Sequence, residues 1–585
     1  MLSLFLACED AYTPVSSGEE SDDSSSTAAD NSENYENSGA NALAANSTNH
    51  DDLVDYVWDA ADVVQITLND NATAISGAGA TIKGNIVTIA SSGNYKFSGS
   101  LTNGQIRVNT EDESIVRIIL SGVSLKNSTT SPVYVEAAEK VMIVLADNTV
   151  NTISDGSSYN FDGDSDEPNA AIFSKADLTI YGNGTLAVDG NYNDGIASKD
   201  GVIISSGTLT VDAKDDGIRG KDYIIIKDGS VTVICGGDGL KSDNEEDETK
   251  GYISIEDGFL RITSTGDAME AQTDAIVRDG QLVLISGGGS SSRLTSTSAS
   301  AKAIKGIVNT IIDGGTITIN SADDAIHSNG NLVINDGDIK IFSNDDGVHA
   351  DSNLEINGGD IEISKCYEGV ESENITINGG TIHVVASDDG LNGAGGNDGS
   401  GMGGWPRGLS SGGSYYLYIN GGYIVLNTTG DGIDVNGSIE MTGGVVLISG
   451  PTASNNGALD YDSSFRISGG FLAAAGSSGM AQAPGTASSQ CSVLLTFRSA
   501  LQAGMLFHIE DNNGKNILSF VPEKMYQSMA FSSSYLISGT SYKVYYGGSS
   551  TGTETDGLYE NGAYTPGTEY TSFSISSVVT RVSVR

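Results

Sequence analysis

From about Tyr56 onward the chain alternates apolar and polar residues in runs of three to five, each closed by Gly, Asn or Asp. One stretch reads Gly347-Val348-His349-Ala350, then Leu354-Glu355-Ile356, then Ile361-Glu362-Ile363. A period of two over so few residues predicts short strands with one buried face. The closing turns need the positive φ that Gly or Asn tolerates. Between the last two runs sits Asn357-Gly358-Gly359, which recurs as Asn378-Gly379-Gly380, Asn420-Gly421-Gly422 and Asp313-Gly314-Gly315. No stretch of useful length shows a 3.6-residue period.

The pattern also repeats at long range. Asp194-Gly195-Ile196, Asp216-Gly217-Ile218 and Asp238-Gly239-Leu240 are spaced by 22 residues, as are Asp324-Ala325-Ile326, Asp346-Gly347-Val348 and Glu368-Gly369-Val370. Asp267-Ala268-Met269, Asp389-Gly390-Leu391 and Asp431-Gly432-Ile433 continue the series. Longer intervals hold insertions, such as Asn244 to Lys250, Gly287 to Ser300 and Gly393 to Gly413. Three strands and three turns in about 22 residues make one coil of a parallel β-helix, and no single coil can bury its own face. The expected fold is therefore all-β: a parallel solenoid over 56–490. From Cys491 to Arg585 the repeat stops and strands lengthen, as in Val493-Leu494-Leu495-Thr496-Phe497. This part (491–585) reads as a β-rich C-terminal cap, since an open end would expose strand edges and core.

Upstream, residues 9–55 are dominated by Ser, Asn, Glu, Asp and Ala. Such a composition buries too little apolar surface to offset its ordering entropy, which predicts a disordered acidic tether. Residues 1–8 run Met1-Leu2-Ser3-Leu4-Phe5-Leu6-Ala7-Cys8. A short apolar run, a small residue and a cysteine resemble a lipoprotein signal, with Cys8 as the lipidated residue, although the basic opening region of an export signal is missing. The expected location is outside the bacterial cell, anchored by lipid at the envelope or surface, with no other membrane contact. Cys235, Cys366 and Cys491 lack the spacing of a zinc site.

Charge narrows the partners. The chain carries 29 basic and 76 acidic residues, a net charge of −47, which excludes nucleic acid as a natural partner and favours divalent cations. Equivalent residues of successive coils lie about 4.8 Å apart, so the motif aspartates form a column of like charges. Each neighbouring pair repels by about 1 kcal/mol in water and about 3–4 kcal/mol at an effective dielectric near 20. Calcium, which takes six to eight oxygen ligands, is the expected cofactor. The candidate ligands are Asp194, Asp215, Asp216, Asp238, Asp243, Asp267, Asp345, Asp346, Glu368 and Asp389. The stretch from Asp194 to Asp267 is favoured because Asp243 to Glu248 crowd an insertion there. The competing reading is that each aspartate caps its own turn.

Two residues past each motif Gly or Ala, side chains are expected to face outward: Ala197, Arg219, Lys241, Glu270, His327, His349, Glu371 and Asn392. With Lys199 and Lys221 on the same face, Lys199, Arg219, Lys221 and Lys241 make a basic patch suited to gripping polyuronate carboxylates, or one that simply compensates the aspartates. His327 and His349 are expected to stack at the surface on consecutive coils. Trp405 offers a platform for a sugar ring. No catalytic residue is assigned.

The combination Asp-Asp-Gly followed by Asn-Gly-Gly, with Tyr542-Lys543-Val544-Tyr545, Asp556-Gly557-Leu558-Tyr559 and Tyr570-Thr571-Ser572-Phe573 near the end, resembles the bacterial carbohydrate-binding domain-containing β-helix proteins. That family is related in fold to calcium-dependent polysaccharide lyases. The resemblance spans roughly Tyr56 to Arg585. It implies a right-handed helix, calcium in the coils and binding of cellulose- or pectin-like polymers. Three functions follow as expectations: non-catalytic polysaccharide binding by a monomer, a calcium-dependent polyuronate lyase with a lysine base, and a structural adhesin or stalk.

Overall fold

Isoleucine, valine and leucine at alternate positions put branched apolar bulk on one face of the short runs, and those faces meet in a single continuous core. The computed structural model describes residues 38–161, 166–294, 300–394 and 415–584. The protein is all-β, with strands in predominantly parallel pairing, and Gly39–Ala45 is the one α-helix among the described residues.

Within the repeats, each strand pairs in parallel with its counterpart one repeat later, never with its own sequence neighbour. The ladder carrying the motif runs in unbroken register through Ile196, Ile218, Leu240, Met269, Ile304, Ile326, Val348, Val370, Leu391, Ile433 and Leu459. A second ladder stacks Ile224, Ile253, Ala275, Thr310 and Leu332. A third stacks Val231, Leu260, Leu282, Ile317 and Ile339. Like residues thus lie on like residues, and Ile218, Ile224, Val231 and Val233 are fully buried. Burying each such side chain stabilises by about 1.5–3 kcal/mol.

The turns stack as well. Gly337, Gly359 and Gly380 adopt φ of 129°, 89° and 85°. A Cβ at Gly359 would also lie 3.0 Å from the Gly337 carbonyl oxygen, so glycine is required on two counts. Beside them Asn357 Nδ2 donates to Asn335 Oδ1 at 2.8 Å and Asn378 Nδ2 donates to Asn357 Oδ1 at 2.8 Å.

The parallel stack ends where Phe471–Gly476 pairs antiparallel with Tyr526–Ser532, which in turn pairs antiparallel with Ser492–Leu501. Beyond it lies a six-stranded antiparallel sheet with its own core, including Phe497, Phe507, Phe520, Phe531 and Tyr542.

Residues 38–55, assigned to the tether by composition, are docked along the flank of the repeats. Ser38 caps the helix Gly39–Ala45, its Oγ accepting from the Asn41 N–H. The Gly39 N–H donates to Asp313 Oδ2 at 2.9 Å, and Asn46 Nδ2 donates to Asp274 Oδ2 at 2.8 Å. His50 packs between Tyr223 Oη at 2.7 Å and Thr179 Oγ1 at 2.8 Å. Asp51 pairs with Lys227, and Asp55 with Lys140. Polar composition hid this because the strap docks largely through side-chain hydrogen bonds and ion pairs spread over many repeats, with Leu43 packed on Ile203, Tyr223, Ile225 and Tyr252.

Candidate functional site

The motif residues form a column along the first ladder, and its aspartate carboxylates do a structural job. One oxygen accepts the backbone N–H of the equivalent residue one repeat later. Asp216 Oδ1 accepts from Asp238 at 2.8 Å, Asp238 Oδ1 from Asp267 at 2.8 Å, Asp267 Oδ1 from Lys302 at 2.6 Å, and Asp324 Oδ1 from Asp346 at 3.1 Å. Asp194, Asp346, Asp389 and Asp431 do the same. The aspartates therefore cap the next repeat rather than their own turn. The second oxygen is left for other chemistry.

A second column, three residues on, faces those second oxygens. It holds Arg219, Lys241, Glu270, Lys305, His327, His349, Glu371, Asn392 and Asp434 in register. Lys241 bridges Asp238 and Glu270, and Lys305 bridges Glu270 at 2.7 Å and Asp267 at 3.4 Å. Lys302 takes the motif position itself, in Lys302-Ala303-Ile304, and its ammonium meets Asp324 at 2.6 Å and Asp323 at 2.9 Å. Burial works to raise Asp324, but Lys302 and His327 outweigh it and hold the carboxyl well below its usual range. His349, fully buried, lies between Asp346, Glu371 and Asp351. Burial opposes its charge, yet hydrogen bonds to those carboxylates raise the imidazole's hold on its proton.

The C-terminal end of the columns is different. Asp389, Asp431 and Asp434 each bring one carboxylate oxygen within 4.8 Å of the other two, and no cation appears among the described groups acting on them. Burial, with Asp388 and Asp434 nearby, pushes Asp389 up to about 8. Burial, with Asp431 and Asp460 nearby, pushes Asp434 up to about 7. Asn392 stands in register between Glu371 and Asp434, and its Oδ1 is buried without a hydrogen-bond partner. Three carboxyl groups whose ionisation is resisted for want of a cation, with an amide oxygen lacking a donor, fit the oxygen-rich ligand set of calcium.

The other expected site residues fall as follows. Asp194, Asp216, Asp267 and Asp346 are buried, Asp238, Asp345, Glu368 and Asp389 are half-buried, and Asp215 is exposed. Asp243 is bound by Arg219 rather than left open. The favoured region, Asp194 to Asp267, thus carries its own cations. The basic patch is likewise engaged: Lys199 pairs with Glu167, Lys221 with Glu246, and Lys241 within the columns. His327 and His349 do stack, at 4.9 Å between ring centres, but inside the protein rather than at its surface. Ala197 and Asn392, expected to face outward, are also buried. Cys8 and Trp405 lie outside the described residues. Lys302, Lys305 and Asp434 were not singled out. Aligning Lys302-Ala303-Ile304 as a degenerate motif would have found the first, and stepping three residues onward the rest.

These columns lie largely within a segment that matches a known family. The family model described as Carbohydrate-binding domain-containing protein matches residues 83–347 and 343–390, more than half of the chain, and the chain belongs to that family. The match takes in the acid column from Asp194 to Asp389 and stops before Asp431 and Asp434. A carbohydrate-binding domain-containing protein of Acetivibrio thermocellus is 39% identical over 146 residues, 25% of this chain and 51% of the relative. The chain thus spans about half the length of that curated relative. A solved structure described as the polysaccharide lyase-like protein from C. thermocellum, a gadolinium derivative, is 33% identical with a TM-score of 0.37, over 38% of this chain and 92% of that one.

Proposed function

We propose that the protein is a non-catalytic, calcium-dependent polysaccharide-binding module of the bacterial cell surface, its repeats coiled as a right-handed parallel β-helix. Family membership supports the carbohydrate, and the ladders that pair only across repeats support the coil. The observation that carries the metal is the cluster Asp389, Asp431 and Asp434, one buried and two half-buried, brought together without a cation of its own among the described residues. Bound calcium would supply open coordination positions to an acidic sugar. The chain's part is to hold the ion through these carboxylates, with the Asn392 amide oxygen beside them. Cellulose- and polygalacturonate-like polymers are the ligands proposed, and a lipid on Cys8 is the anchor.

The lyase reading gains nothing from the site. Lys241 is held protonated by Asp238, Asp216 and Glu270, which outweigh its burial, whereas a general base must be neutral at working pH.

Affinity electrophoresis through polygalacturonate, with calcium and then with chelator, tests the proposal. Retardation that needs calcium and weakens at least tenfold in Asp431→Asn is expected. Retardation unchanged by chelator would remove calcium from the function, and ultraviolet-absorbing unsaturated product would make the protein a lyase.

A further inference from the structure

The middle of the columns departs from the repeats around it in one respect. Along the second column Lys241 and Lys305 supply ammonium groups and Glu270 and Glu371 carboxylates, whereas two successive repeats place imidazoles there. An ammonium can only neutralise, but an imidazole nitrogen can also bind a metal.

His349 Nδ1 lies 3.1 Å from Asp346 Oδ2 and 3.0 Å from Glu371 Oε2, and the three ligand atoms fall within 4.8 Å of one another. One nitrogen carries one proton, and here two carboxylate oxygens converge on it. The other oxygen of each carboxylate is engaged elsewhere. Asp346 Oδ1 accepts the Glu368 N–H at 3.2 Å, and Glu371 Oε1 faces Asn392 Nδ2 at 3.4 Å. Both free oxygens are thereby aimed at the ring. On its far side His349 Nε2 lies 3.2 Å from Asp351 Oδ1. An Nε2–H donated to that carboxylate leaves Nδ1 as the ligand atom towards Asp346 and Glu371 once an ion displaces its proton, the carboxylate–histidine arrangement that supports metal-bound imidazoles.

We propose that Asp346, His349 and Glu371 bind a divalent first-row transition ion of the zinc type, with Asp351 orienting the imidazole. Bonds of about 2.0–2.1 Å at tetrahedral angles set adjacent ligands roughly 3.3–3.4 Å apart, so each carboxylate oxygen needs to draw back from Nδ1 by only about 0.2–0.4 Å. Calcium bonds are longer and made to oxygen, so the nitrogen selects against it. His327 fixes the ring plane of His349 by stacking at 20° and is itself held by Asp324 at 2.8 Å. The ion takes the place of the Nδ1 proton, which passes to solvent. Glu371 and Asp351 retain side-chain exposures of 15% and 28% and open the way in. This site does not rest on the glycan reading, and it adjoins the calcium cluster through Asn392.

The test is cobalt(II) titration of the chelator-stripped full chain, read by visible absorption, with zinc calorimetry and thermal unfolding alongside. One equivalent, a rise in melting temperature and persistence in millimolar calcium are expected. Glu371→Gln, at the half-buried rim, should keep the metal-free fold and bind at least tenfold more weakly. His349→Gln should lose the absorption band. The proposal is overturned if the wild type gives no band and no heat, if calcium displaces the ion, or if Glu371→Gln binds as tightly as the wild type.

Discussion

Asp194 opens the acid column with one oxygen used twice, by the Asn193 amide and the Asp216 N–H, and the other buried without a partner. Burial, reinforced by Asp216, pushes its carboxyl up to about 7, against about 4 when unfolded. Between those values the folded chain binds more protons than the unfolded one. Stability contributed here is therefore fully present at low pH and is lost as pH rises from about 4 through 7. Asp194→Asn keeps the shape and removes the titration. In chelator it should be more stable than the wild type by roughly 1–3 kcal/mol at pH 8, with the difference gone below about pH 4. Urea midpoints at the two pH values measure it, and a constant difference would place the effect elsewhere. At this scale the sequence was only half legible. The aspartates announce themselves by repetition, but the N–H that each one caps belongs to the next repeat, 22 or more residues away.

Between elements, the second column settles how the acids coexist. Lys302 is the clearest case, buried against Asp324 and Asp323. Lys302→Met should cost about 3–5 kcal/mol, because it strands a buried carboxylate. Adding Asp324→Asn should recover part of that loss, as read by chemical denaturation at neutral pH. An equal loss in the single and double variants would deny the coupling. The strands themselves were readable, since a period of two is local and the Asn-Gly-Gly turns mark every third corner. The pairing of columns was not. The intervals from Asp267 to Lys302 and from Lys302 to Asp324 are unequal, and an insertion hides which residues become neighbours. Calcium at the uncompensated end should show at the same scale. At 100 times its dissociation constant it should add about 2.7 kcal/mol, and Asp431→Asn should abolish that gain.

For the molecule as a whole, the two ends of the parallel stack differ. The C-terminal end is closed by antiparallel pairing of Phe471–Gly476 with Tyr526–Ser532. Removing residues 491–585 would bare that strand edge and the apolar faces of Leu447, Ala473 and Ala475, and should turn a monodisperse protein into one that aggregates on size exclusion. A truncated chain that stays monomeric would mean that the stack needs no such closure. The flank is held by the strap from Ser38 to Asp55, which reaches from Asp313 back to Lys140. A pile of repeats that touch only their neighbours unzips one layer at a time, because no layer feels those beyond the next. The strap changes the arithmetic of that process. It couples distant layers as a spine couples the pages of a book, so the braced block should exchange its amide hydrogens in concert while the unbraced layers beyond Asp313 fray singly.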